Sequence, residues 1–183
     1  MEVFVVRHTP VSVGKDTCYG QSDVALADSF LTDFNSLKTK LPTDFDGIYA
    51  SPMQRCQILA GKIADNFKTD ERLLEVNFGD WELKKWSEID PDALDKWMNN
   101  FVTEAPPNGE SLSDLAKRVA EFMDYLRPKK HEKVILVTHA GVIRCIWAYL
   151  LAVPLHNVFK IPVDYGSVLR FKLGENPLFD SIK

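Results

Sequence analysis

At 183 residues, 45% of them hydrophobic and 26% charged, the chain is long enough to bury a core as one domain without disulfides or a structural metal. That composition speaks against a disordered or membrane-spanning protein. A formal net charge of -4 argues against broad attraction to nucleic acid or an anionic bilayer, so any anion site must be local.

Residues 1–6 have no basic flank and no apolar stretch of signal-peptide length, which predicts a cytoplasmic protein. Cys18, Cys56 and Cys145 are odd in number and widely spaced, which suits reduced thiols rather than a disulfide framework. Val3-Phe4-Val5-Val6 is a short unbroken apolar run, as expected of a strand covered on both faces, and it leads into Arg7-His8-Thr9-Pro10. Residues 11–23 form a polar loop, long enough in a compact domain to suggest function. Phe30, Leu31, Phe34 and Leu37 have helical spacing within residues 28–40.

Ile48-Tyr49-Ala50-Ser51 predicts a second strand closed by Pro52, and Ile58, Leu59, Ile63 and Phe67 predict a helix over residues 53–67. Residues 68–76 read as extended. Residues 79–101 set Trp81, Trp86, Trp97 and Phe101 among charges, as short helices over a sheet would. Pro106-Pro107-Asn108-Gly109 breaks the chain. Ser111 with Asp114 then marks a helix start ahead of Leu115, Val119, Phe122 and Leu126, with a stop near Pro128. Val134-Ile135-Leu136-Val137 is a third buried strand and ends on Thr138-His139-Ala140-Gly141. Residues 142–152 read as a helix, and residues 168–173 alternate like a final strand. With no repeat and no linker, residues 1–183 read as one α/β domain with its ligand at the carboxyl ends of the strands.

Two of those strands end in a histidine, His8 and His139, which an open parallel sheet would project into one crevice. Arg7 precedes His8, Arg55 opens the helix after the second strand, and Arg144 lies early in the helix after His139. Guanidinium forks and helix N-termini both suit a phosphate. Arg144 could instead support the pocket from behind, while Arg118, Arg127 and Arg170 read as surface arginines. A neutral imidazole can attack phosphorus where nearby cations neutralise the phosphoryl oxygens. An alkoxide leaving group also needs a proton, and Glu75 places a carboxyl group at what reads as a third strand end.

The blocks Val6-Arg7-His8-Thr9, Ala50-Ser51-Pro52-Met53-Gln54-Arg55-Cys56, Leu74-Glu75-Val76-Asn77-Phe78-Gly79-Asp80-Trp81-Glu82, Asn108-Gly109-Glu110-Ser111 and Thr138-His139-Ala140-Gly141-Val142-Ile143-Arg144 carry a family pattern in family order. By them the sequence resembles the histidine phosphatase superfamily, in its phosphoglycerate mutase-like branch. The resemblance implies a three-layer α/β/α sandwich with a mostly parallel central sheet. It also implies a phosphomonoesterase in which His8 forms a phosphohistidine, Arg7, Arg55 and His139 bind the phosphoryl group, and Glu75 donates the proton. Thr9, Tyr19, Gly20, Gln21, Ser22 and Ala140 are the implied substrate contacts.

Two positions depart from the pattern, Thr9 and Leu83, where glycine is frequent. The segment from Thr17 to Leu26 is similar to that of the cobalamin-biosynthesis phosphatases acting on α-ribazole 5′-phosphate. The expected partner is therefore a small phosphorylated substrate, held at its non-phosphate end by Tyr19 and residues 81–101.

Several rivals fail or fade. No cysteine has an arginine six positions later, so a cysteine phosphatase is excluded. Asp44-Phe45-Asp46-Gly47 resembles an aspartyl phosphatase nucleophile but precedes a strand instead of ending one. No Gly-rich loop ends in Gly-Lys-Ser or Gly-Lys-Thr, and His8, His131, His139 and His156 lack zinc spacing, so neither a nucleotide cradle nor a metal or other cofactor is expected. A non-catalytic phospho-ligand module, a mutase and a broad sugar-phosphate phosphatase stay open as alternatives.

Overall fold

The computed structural model describes residues 1–183. In chain order its elements are β1 (Glu2–Arg7), α1 (Phe30–Lys38), β2 (Gly47–Ala50), α2 (Gln54–Ile63), β3 (Lys68–Thr69), α3 (Pro91–Asn100), α4 (Leu112–Leu126), β4 (Lys133–Thr138), α5 (Ala140–Leu151), β5 (Val168–Lys172) and β6 (Ser181–Ile182), joined by several short 3-10 turns. The sheet order is β3-β2-β4-β1-β5-β6, with β1 to β4 mutually parallel, β5 antiparallel to β1, and β6 antiparallel to β5.

The unbroken apolar runs of β1 and β4 follow from burial on both faces. Val3, Val5, Val134 and Leu136 point into the layer of α4 and α5, while Phe4, Val6, Ile135 and Val137 point into the layer of α1 and α2. β5 has a wet face, so Leu169 and Phe171 are buried while Arg170 and Lys172 are exposed. α4 begins with the expected reciprocal cap, Ser111 accepting from Asp114 N and Asp114 accepting from Ser111 N. Its stripe of Leu115, Val119, Phe122 and Leu126 is fully buried. Phe122 stacks edge-on against Tyr49 of β2, and truncating it to Ala would cost about 3–5 kcal/mol.

Some local expectations are corrected. Residues 68–76 are not one strand: β3 stops at Thr69, and Asp70 caps a 3-10 turn over Glu71–Leu73 by accepting from Arg72 N. Glu75 therefore lies in an irregular stretch and not at a strand end. α2 ends at Ile63, short of Phe67. Arg118 and Arg127 are not surface arginines. Arg127 forms a nearly buried ion pair with Asp180 that ties the end of α4 to the C-terminal residues, and only Arg170 is exposed, paired with Glu2. Asp46 accepts from Glu132 N and Lys133 N, and Asp44 pairs with Lys133, so both sit at the entry of β4, the opposite end of that strand from His139. That location gives them a structural role and removes the aspartyl reading. No helix is long and apolar enough to cross a membrane.

Candidate active site

β1 and β4 are hydrogen-bonded neighbours in register, Arg7 opposite Thr138, and His8 N donates to Thr138 O at 3.0 Å. The next residue on each strand is the histidine, so the rings of His8 and His139 meet edge to face with centroids 5.1 Å apart. β2 flanks β4 on its other side and delivers Ser51, whose hydroxyl lies 2.8 Å from His139 Nε2. Arg55, in the first turn of α2, is fully buried beside them. The strand ends thus bring together Arg7, His8, Arg55 and His139, as expected, and add Ser51.

His8 Nδ1 lies 2.8 Å from the carbonyl of Thr9. A carbonyl only accepts, so Nδ1 carries the proton and Nε2 keeps its lone pair. Burial, reinforced by the charges of Arg55 and Arg7, pushes the His8 pKa down to about 3, against a weaker upward pull from the Thr9 hydrogen bond. Burial and the neighbouring charges likewise hold His139 neutral, well below its ordinary range. Two neutral imidazoles in a cationic recess have the form of a nucleophile site for an anionic electrophile.

Arg7 Nη1 donates to Val163 O at 2.6 Å, and its guanidinium lies 3.7 Å from the centroid of the Tyr165 ring. Arg55 donates to the carbonyls of Gly20 at 2.5 Å and Ser22 at 2.9 Å. Five buried side-chain polar atoms lack a partner within the chain, and three of them, Arg7 Nε, Arg55 Nε and Thr9 Oγ1, belong to this one floor. Ala140 opens α5 directly above His139, so its backbone N–H has no intrahelical acceptor.

The loop carrying Tyr19, Gly20, Gln21 and Ser22 is fastened from outside by Glu82. That carboxylate accepts from Gln21 N at 2.7 Å, Ser22 N at 2.5 Å, Phe78 N at 3.2 Å and the Ser22 hydroxyl. Burial pushes Glu82 up, but these hydrogen bonds outweigh it and hold its pKa below the usual carboxylate range. Gly20 lies so close to the neighbouring segment that a Cβ would come within 2.0 Å of Val76 O. Tyr19 joins its hydroxyl to that of Tyr165, and the Tyr165 ring lies 5.5 Å from that of His8. Tyr165 follows a six-residue 3-10 turn and was not visible as a site residue, because a lone tyrosine between Asp164 and Gly166 carries no sequence signal.

Glu75 comes from the irregular segment after β3 to the start of α5, two residues beyond His139. Its carboxylate accepts from Val76 N at 2.9 Å and from Gly141 N, at the start of α5, at 3.1 Å. Gly141 is required by this approach, since a Cβ there would fall 2.2 Å from Glu75 Oε1. Glu75 also borders a cavity of about 110 Å³ whose walls are mostly apolar, among them Phe78, Trp97, Phe101 and Phe159. Arg144 is its one cation, donating Nε to Ile161 O and leaving both Nη atoms without a hydrogen bond in the chain. Of the three tryptophans singled out in the sequence, only Trp97 lines this cavity. Trp86 stacks behind Trp97, and Trp81 is buried with Cys18 and Ile89. Tyr19 lies apart, its ring near the guanidinium of Arg55.

Strand-end histidines and buried arginines, with a carboxylate at the start of the helix that follows His139, define a class of phosphoryl-transfer proteins on an α/β sheet. Residues 3–178 match the histidine phosphatase superfamily (branch 1), and the chain belongs to that family. It is 32% identical over 135 residues to a Hydrogenobacter thermophilus protein named "Putative phosphoserine phosphatase 2", covering 70% of this chain and 66% of that one. It is 25% identical over 176 residues to the Escherichia coli adenosylcobalamin/alpha-ribazole phosphatase, covering 91% and 87%. Its fold superposes on the alpha-ribazole phosphatase of Shigella flexneri with a TM-score of 0.89 at 23% identity, over 100% of this chain and 95% of the other. The three-layer sandwich with its mostly parallel sheet is thus the family's fold.

Proposed function

We propose that the protein hydrolyses a phosphomonoester through a phosphohistidine. His8 Nε2 attacks phosphorus and the P–O ester bond breaks. Arg7, Arg55, His139 and the Ala140 N–H hold the phosphoryl oxygens, with Thr9 and the 19–22 loop at their edge. Glu75 gives its proton to the departing alkoxide, then takes one from the water that attacks the phosphohistidine and releases phosphate. The observation that carries this reading is the neutral His8, with Nδ1–H pinned by Thr9 O, among buried cation and hydroxyl atoms that have no partner in the chain.

For the substrate we propose α-ribazole 5′-phosphate. Supporting it are the similarity to the E. coli enzyme along 91% of the chain and the aromatic walls of the cavity beside Glu75. A flat apolar ring offset-stacked on Trp97 would gain about 0.5–1.5 kcal/mol. A second reading, an ester whose alcohol bears a carboxylate such as phosphoserine, is favoured by the free Nη groups of Arg144.

The test is a turnover panel of α-ribazole 5′-phosphate, phosphoserine and ribose 5-phosphate, joined to rapid-quench trapping with 32P. Acid-labile, base-stable label on histidine and the highest kcat/KM for α-ribazole 5′-phosphate are expected. Label on another residue type sinks the mechanism, and preference for phosphoserine moves the substrate to the second reading.

A further inference from the structure

Glu75 stands on a stretch with almost no regular backbone pairing, yet proton transfer needs its carboxyl group placed within hydrogen-bond reach of the ester oxygen. Something other than the sheet must fix that stretch. Arg118, in the second turn of α4, spends its whole guanidinium there. Nη1 donates to the carbonyls of Arg72 at 2.9 Å and Leu74 at 2.7 Å, and Nη2 donates to the carbonyl of Glu75 itself at 2.9 Å. The fork is oriented by Glu110, which takes Nη2 at 2.5 Å and Nε at 3.1 Å and also accepts from Asn77 N at 2.9 Å. Every residue from 72 to 77 except Leu73 and Val76 is thus tied to the Arg118–Glu110 pair through its backbone. Leu73 is anchored separately, its carbonyl accepting from the Thr138 hydroxyl at 2.7 Å, one residue before His139.

We propose that Arg118, oriented by Glu110, is the positioning residue for the proton donor Glu75. The inference rests on the reading of Glu75 as that donor. The pair is set at 18% side-chain exposure on each partner, where competing water is limited. The planar fork matters as much as the charge, since one ammonium cannot satisfy three carbonyls and a carboxylate spread around the guanidinium plane. Arg118 makes no hydrogen bond to His8, His139, Arg7 or Arg55 and only its charge reaches His139, so Arg118→Lys, which keeps that charge, should damage protonation of the leaving group and spare attack on phosphorus.

The leaving group separates these effects. A poor leaving group such as the alkoxide of ribose 5-phosphate needs the proton, and p-nitrophenolate does not. Arg118→Lys and Arg118→Ala should lower kcat/KM for ribose 5-phosphate at least about tenfold more than for p-nitrophenyl phosphate, with Glu110→Gln smaller in the same direction. Adding Arg118→Lys to Glu75→Gln should slow ribose 5-phosphate no further than Glu75→Gln alone, because both changes remove one function. Circular dichroism and Tm of Arg118→Lys show whether the fold survives if Arg118→Ala does not accumulate. Equal slowing of both substrates by a folded Arg118→Lys, or multiplicative losses in the double variant, overturns the inference while leaving Glu75 as donor. If Glu75→Gln itself slows both substrates equally, the reading of Glu75 fails and the positioning role falls with it.

Discussion

His8 and His139 are fixed by the parallel ladder of β1 and β4, a geometry repeated bond after bond along six residues of each strand. Glu75 is held instead by a few individual contacts, the side chains of Arg118 and Glu110 on its backbone and the Gly141 N–H on its carboxylate. The floor formed by His8 and His139 therefore inherits its accuracy from the core of the sheet, while Glu75 depends on a few individual contacts. Substitutions at the two places should fail differently.

The largest expected effect is on the floor. His8→Ala should lower turnover of p-nitrophenyl phosphate by about 10⁴-fold or more while leaving Tm nearly unchanged, because the ring supports no core packing that the ladder does not already secure. A large drop in Tm would show that the floor is as fragile as the rim. On the rim, Gly141→Ala drives a Cβ toward Glu75 Oε1 and should cost about 10²-fold on ribose 5-phosphate but only a few-fold on p-nitrophenyl phosphate. Equal losses would mean that the helix start, and not the carboxylate, had been disturbed.

A third expectation concerns acid. His8 is held near 3 in the folded chain against 6.5 ordinarily, so as pH falls the unfolded chain takes up a proton that the folded chain refuses. The stability tied to a neutral His8 is whole above about pH 6.5 and is lost progressively toward pH 3, and His139 acts in the same direction. Melting curves between pH 7 and 4.5 should show a shallower decline of Tm for His8→Ala than for the wild type. An unchanged slope would place the depressed pKa in doubt. NMR at pH 6 should also find His8 neutral with its proton on Nδ1.

The smallest effect lies furthest out. Leu83, one of the two departures from the family pattern, has φ of +65° and is 58% exposed. The left-handed conformation costs a branched L-residue about 1–2 kcal/mol, and glycine forfeits about 0.5–1 kcal/mol in chain entropy. Leu83→Gly should therefore stabilise the protein by about 0.5–1 kcal/mol in urea unfolding.

What the sequence determined by itself was everything carried by an unbroken local pattern. Apolar runs covered on both faces announce β1 and β4, and the residue two places beyond each run must emerge at the same sheet edge, so the sequence alone pairs His8 with His139. Ser111 with Asp114 fixed the start of α4 for an equally local reason, two reciprocal hydrogen bonds within four residues. Tertiary structure alone decided the rest. Arg118 reads as a surface residue because the three carbonyls it serves lie 43 to 46 positions away in a segment without periodicity. Tyr165 and Phe159 come to the site from the irregular segment between α5 and β5, which carries no periodic pattern. Trp97 was divided from Trp81 and Trp86 only by the way α3 packs, since three tryptophans among charges read alike until the fold turns one of them toward the cavity. Periodicity records which face of an element is buried, and contacts made by single side chains across long loops have no period to record.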